Sequence, residues 1–173
     1  MRLLLTLLCF LVAFQYCPGQ ADPSKLITPT HMIKMQEGIL LTGVVESFDR
    51  SKHKYDTCDT GLGWKSICLI DGKIWFGADA GMTLPRNQLT KLTITINGVE
   101  VPLDVTGMYN PSFLNELSFR QFKLKKVEVG HMLFGAFSDG AGAYTVHWTI
   151  IKNKSTRNKI TKDEADFNWM SEK

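Results

Sequence analysis

Two cysteines, two glycines and a tryptophan fall within the eleven residues Cys58–Cys68, CDTGLGWKSIC. Three chemistries use cysteines this close: a redox pair, a metal site and a disulfide. Redox catalysis wants Cys-x-x-Cys at a helix start, where the thiolate is stabilised, and that spacing is absent. A zinc site would recruit His53 with Asp56 or Asp59 to the two thiolates, but the separation misses the spacing of about two to four residues in short zinc loops. A disulfide between Cys58 and Cys68 is the expectation, with Gly61 and Gly63 letting the backbone double back between the sulfurs. Closing such a loop contributes on the order of 2–3 kcal/mol by restricting the unfolded chain. No metal and no cofactor are expected.

The other suggestive stretch is FSDGAGAY, residues 137–144. Asp139 with Gly140 and Gly142 could form an anion-cradling nest of backbone N–H groups, or present a carboxylate at the mouth of a sheet beside Tyr144. A strand rather than a helix follows, which excludes a dinucleotide fingerprint or a P-loop. The plainer reading is a hairpin loop. The histidines, at 31, 53, 131 and 147, are scattered. His147, flanked by threonines opposite Tyr144 and Trp148, reads as a solvent-side strand residue. A catalytic site would have to bring Asp139 to His131 or His147 in three dimensions. HExxH, GxSxG and GxxxxGK[ST] do not occur. Trp64, inside the closed loop, and Trp75, predicted on a face away from the core, are candidate recognition residues because tryptophan is enriched at binding surfaces.

Compartment bears on all of this. Residues 1–21 combine Arg2, an apolar run from Leu3 to Phe14 and small residues at Gly19 and Ala21, the pattern of a secretory leader too short to span a bilayer. Its removal takes Cys9 and Cys17 with it and leaves residues 22–173 as one β-rich domain without a membrane span. A lipid anchor on Cys17 is disfavoured by the bulky residues before it. The mature chain carries 19 basic and 17 acidic residues, a net charge of +2, too little to draw it to nucleic acid. The basic cluster Lys152, Lys154, Arg157, Lys159 and Lys162 lacks interleaved aromatics to stack bases and reads as a solvated strand end. Asn153-Lys154-Ser155 is formally a glycosylation sequon.

The elements that must position these residues are strands. Residues 22–38 read as a lead-in arm and 39–48 as a first strand, with Gly43 marking a bend. Asp71-Gly72 predicts a tight hairpin with Ile67, Leu69, Ile74 and Phe76 on a core face. Asn97-Gly98 predicts another, pairing Ile96 with Val99, Ile94 with Val101 and Leu92 with Leu103 on one face. Pro102 places the 99–105 strand at a sheet edge. In residues 119–129 the apolar parity flips at Lys125-Lys126, which predicts a bulge. Residues 131–137 and 143–151 form a last hairpin with Tyr144, Val146, Trp148 and Ile150 on one side. A helical turn is expected within 82–89, and a capping box from Thr161 to Glu164 opens a short C-terminal α-helix whose Phe167 and Met170 pack on the sheet. The fold class is mainly β: an antiparallel sandwich or half-barrel built of hairpins.

Export, size and missing catalytic motifs favour a small binding or inhibitor module, such as an inhibitor of a secreted enzyme or an immunity-type protein. It would act through loops 56–66 and 138–144 on a periplasmic or extracellular protein or an envelope component. The alternatives are an extracytoplasmic enzyme around Asp139 and a strand histidine, and an envelope structural protein.

Overall fold

The computed structural model describes residues 30–36, 38–78, 81–112 and 117–171. The expected leader, Cys9, Cys17 and the first part of the lead-in arm lie outside the described residues. The strands run β1 (Thr30–Gln36), β2 (Ile39–Ser47), β3 (Tyr55–Asp59), β4 (Lys65–Ile70), β5 (Lys73–Ile74), β6 (Asn87–Ile96), β7 (Val99–Pro102), β8 (Phe122–Lys126), β9 (His131–Phe137), β10 (Tyr144–Ile151) and β11 (Lys154–Thr161). They build two four-stranded antiparallel sheets, ordered β1-β2-β6-β7 and β11-β10-β9-β8, and a small sheet, β3-β4-β5.

The two larger sheets form a sandwich because each presents one apolar face. In β2, Ile39, Leu41 and Val45 are buried at alternate positions, the two-residue period of a strand with one face on the core. Leu92, Ile94 and Val101 join them, and Leu133, Val146, Trp148 and Ile150 meet them from the second sheet. An extra residue, Thr90, interrupts the β2–β6 register, so Leu89 and Leu92 both reach the core although three positions apart. Gly135 has no side chain because a Cβ there would stand 2.6 Å from the Phe137 ring and 3.2 Å from Trp148.

Both predicted two-residue turns form, with φ of 53° and 71° at Asp71 and Gly72 and of 51° and 82° at Asn97 and Gly98. The pairings Ile94 with Val101 and Ile96 with Val99 are as expected, and β7 is an edge strand. The β9–β10 hairpin buries Tyr144, Val146, Trp148 and Ile150 together, as their shared parity implies, but it is not the last: the basic segment expected to be a solvated strand end is β11, which pairs along β10.

Elsewhere the structure departs from the pattern. Part of the lead-in arm is β1, which pairs along β2. Only Ile33 in it is buried, so its sequence lacks a hydrophobic alternation to announce it. Gly43 marks close packing, with Leu117 Cδ1 2.9 Å from where its Cβ would stand. The parity flip at Lys125-Lys126 is a strand end: β8 pairs with β9 without a register shift, and Val127 N–H donates to the Gly130 carbonyl in a turn. Residues 82–86 are irregular and Asn87 begins β6, so no helical turn forms there. The terminal helix, Glu164–Met170, is a 3-10 helix capped by Asp163, whose carboxylate accepts from Ala165 N–H at 3.1 Å. Trp169, rather than Met170, is its buried anchor.

The strands of the sandwich are tied at their margins by side chains that hydrogen-bond to backbone groups. Gln121 is fully buried; its Nε2 donates to the carbonyls of Pro111 at 2.9 Å and Ala136 at 3.0 Å, and its Oε1 accepts from Ser118 N–H at 2.9 Å. At the opposite margin, Arg157 pairs with Asp104 at 3.2 Å and donates to the Thr106 carbonyl at 2.6 Å. Replacing Gln121 by Leu strands buried polar groups, each costing about 1–3 kcal/mol. We expect a lower urea midpoint with an unchanged m-value for this variant; an unchanged midpoint contradicts the role given to Gln121.

Candidate functional site

Cys58 and Cys68 are disulfide-bonded, with Cα atoms 5.7 Å apart. The bond spans the β3–β4 hairpin, and its loop is ordered by its own polar groups. Thr60 N–H and Oγ1 donate to the Trp64 carbonyl at 3.2 and 2.7 Å. Gly61 N–H donates to Asp59 Oδ1 at 2.8 Å, and Leu62 N–H to Thr60 Oγ1 at 3.3 Å. Gly61 and Gly63 take φ of 74° and 82°, a conformation costly for residues with a Cβ. The consequence is a fixed tip that holds Leu62 out in solvent, 77% exposed.

Of the two tryptophans singled out from sequence, Trp64 lies inside the closed loop as expected and Trp75 lies elsewhere. Trp64 is half-buried at the base of the loop. Trp75 is 8% exposed, donates Nε1–H to the Ile67 carbonyl at 3.1 Å and meets the Tyr109 ring edge-on at 5.8 Å. The predicted core face of this hairpin is therefore reversed. Ile70 and Trp75 are buried while Ile74 is 70% exposed. A register shift that leaves Cys68 as the extra residue in β4 brings Ile67 to the Ile70 side.

The 138–144 loop borders a cleft of about 470 Å³ whose wall includes Arg86, Asn87, Asn110, Ser138, Asp139 and Gly142. Asn110 is its organiser: Oδ1 accepts from Arg86 N–H at 2.9 Å and Asn87 N–H at 3.3 Å, while Nδ2 donates to the Gly77 carbonyl at 2.6 Å. Asn110 and Ser138 hold φ of 42° and 60°, left-handed values that non-glycine residues rarely adopt. Gly77 is pressed on Tyr109, whose carbonyl oxygen would lie 2.0 Å from an added Cβ. Asn87 Oδ1 is buried without a hydrogen-bond partner among the described residues, a cost of about 1–3 kcal/mol for a lone acceptor.

Within this loop the anion nest does not form. Gly142 and Ala143 N–H groups are used inside the loop, donating to the carbonyls of Asp139 and Gly140 at 3.2 and 3.1 Å. Gly140 is exposed, and Gly142 is packed against Ala78, 3.3 Å from its Cβ direction. Tyr144 is fully buried, its hydroxyl donating to the Tyr109 carbonyl at 3.1 Å, and burial pushes that hydroxyl well above its ordinary range. A ligand cannot reach it. The spatial order of the other cleft residues, with Arg86, Asn87 and Asn110 far from Asp139 in sequence, carried no local signal.

Neither histidine reaches Asp139. His131 opens β9, about 20 Å along the strand from Phe137 at the usual rise. His147 is half-buried, stacked edge-on to Phe134 with ring centroids 4.7 Å apart, close to the terminal helix. Burial lowers its affinity for a proton, the Asp166 carboxylate opposes that shift, and Lys159, directly across the strand pair, reinforces it. Among the described residues no three His, Cys, Asp or Glu side chains converge to hold a metal ion, and no helix is long and apolar enough to cross a membrane. No protein-family model, curated protein or solved structure matches this chain.

Two outcomes are expected. Reducing the Cys58–Cys68 bond lowers stability by about 2–3 kcal/mol, read as a fall in urea midpoint that a C58A/C68A variant reproduces. Because the folded chain binds a proton at His147 less readily than the unfolded chain, its contribution to stability is complete above the ordinary value of 6.5 and is lost as pH falls through and below it. His147→Phe, which keeps a ring against Phe134, should therefore lose less stability than the parent between about pH 7 and about pH 5. Parallel curves for the two proteins reject that account.

Proposed function

We propose that this chain is an exported binding or inhibitor module whose β3–β4 loop inserts Leu62 into a pocket of an extracytoplasmic protein partner. The observation that carries this reading is the combination at the loop tip: a large apolar side chain, 77% exposed, on a backbone held by a disulfide and four hydrogen bonds. A single exposed leucine is ordinary. One held on a preorganised tip is different in kind, because the loop forfeits little conformational entropy on binding, the chief cost that weakens flexible loops. Burying a leucine side chain in a partner's pocket supplies roughly 1.5–3 kcal/mol. The fitting partner is a secreted enzyme with an apolar specificity pocket, or another envelope or extracellular protein with an equivalent recess.

The enzyme reading around Asp139 has no histidine to serve it as acid or base partner. The loop reading has a direct test. The oxidised domain is immobilised and exposed to extracytoplasmic proteins of its own source and of neighbouring cells, with Leu62→Asp and C58A/C68A as companions. The expected outcome is one stoichiometric retained protein, bound about tenfold or more weakly by Leu62→Asp, a hot-spot effect, and weakened by loss of the disulfide. Equal retention by the Leu62→Asp variant overturns the reading.

A further inference from the structure

The cleft at the 138–144 loop is separate from the Leu62 tip, and its chemistry points to a different occupant. Arg86 and Asp139 both lie in its wall, both exposed. Among the described residues neither the guanidinium nor the carboxylate has an ion-pair or hydrogen-bond partner, and they do not pair with each other. Among the described residues the cleft wall therefore presents an unpaired cation and an unpaired anion around a volume of about 470 Å³, inside the range of about 300–1,000 Å³ usual for small-ligand sites.

The backbone around these groups is braced. Asn110 fixes the main chain at both Arg86 and Asn87 and ties it to Gly77. Lys162 Nζ donates to the Ala78 carbonyl at 3.0 Å, holding the segment against which Gly142 packs. Buried Ser138 keeps a left-handed φ of 60° immediately before Asp139. Strain of this kind persists where the surrounding structure over-determines it, and it clusters at ligand clamps.

We propose that this cleft binds a zwitterion of the amino-acid class, as a free amino acid or the open ends of a short peptide. The ligand carboxylate meets the Arg86 guanidinium, whose planar fork suits bidentate pairing. Its ammonium meets the Asp139 carboxylate, an acceptor for a charge-assisted hydrogen bond. A simple anion would leave Asp139 unmatched, and a simple cation would meet Arg86 as a like charge. The site rests on none of the loop tip's features, so it stands or falls independently of Leu62.

The test uses the ¹⁵N-labelled, oxidised protein titrated with the twenty free amino acids and with alanyl-alanine at about 10 mM, where even a site of millimolar Kd is filled. The expected result is saturable movement of the amide signals of Arg86, Asn87 and Asp139 with at least one of them. N-acetylating that ligand or amidating its carboxylate should each weaken binding about tenfold or more, the scale of a lost charge-assisted hydrogen bond. Arg86→Met and Asp139→Asn, both at exposed positions and both checked for native signal dispersion, should each weaken it similarly. Amidation should cost little further in Arg86→Met, and acetylation little further in Asp139→Asn. Tight binding by alanyl-alanine alone identifies peptide ends as the ligand, and binding by a single amino acid identifies the free form. Absence of saturable movement at these amides, or equal affinity for the blocked and unblocked ligands, overturns the proposal.

Discussion

The hydroxyl of Tyr144 crosses the interior to the carbonyl of Tyr109, and the two hydrophobic clusters of the molecule meet at that bond. On one side Tyr144 stacks with Phe137 at 5.4 Å and contacts Phe76 at 5.7 Å, within the sandwich core that also holds Trp148. On the other, Tyr109 is met edge-on by Phe48 and Trp75, which cover the inner face of the small sheet. A phenol buried this completely must find an acceptor, since an unpaired hydroxyl in an apolar interior costs more than the ring's burial can spare. Its acceptor is the residue just before Asn110, so the bond that joins the clusters also sets the backbone from which the cleft is organised.

That arrangement divides the molecule into a rigid sandwich and a smaller annex with different sources of order. The sandwich is secured by paired strands and apolar area, with Gln121 at one margin and the Asp104–Arg157 pair at the other. Among the described residues the annex has a core of Ile70, Trp75, Ala78 and Tyr109, supported by Phe48 and Ile67. So few buried side chains order a hairpin weakly, and the β3–β4 hairpin carries a covalent bond and a set of local hydrogen bonds instead. Asp71 adds to this: its carboxylate faces His53 Nδ1 at 2.7 Å and accepts from Lys54 N–H at 2.9 Å, and the two contacts, His53 foremost, hold its pKa down. The cleft forms where annex and sandwich approach, which is why its wall draws on Gly77, Asn110 and Ser138 at once.

Departures between pattern and structure share a cause. The Asn97-Gly98 hairpin was readable because a two-residue turn sets the register and uninterrupted alternation then sets the face. The Asp71-Gly72 hairpin had an equally clear turn, yet its buried side was inverted. A register shift at Cys68 breaks the alternation, and the large indole of Trp75 goes to whichever face has a core beside it. β1 has no hydrophobic alternation in its sequence because its partner supplies the hydrogen bonds while its own side chains, apart from Ile33, stay largely outside the core. His147 has the parity of an outward residue, as read, but the terminal helix lies over that face with Trp169 as its anchor, and outward is then not the same as solvated.

Local chemistry was enough to specify what local chemistry controls. The disulfide followed from two cysteines near in sequence, the tight turns from residues able to take positive φ, the antiparallel β class from short strands between such turns, and the buried row of β10 from its alternation. The tertiary structure alone decided which surfaces are free. It put Leu62 in solvent and Trp75 inside, made Tyr144 a structural hydroxyl, kept His131 and His147 from Asp139, and brought Arg86 and Asn87 to the cleft that Asp139 also lines. Exposure and charge pairing depend on what packs against a residue from elsewhere in the chain, and the two-residue period of a strand says which side a side chain takes without saying what covers that side.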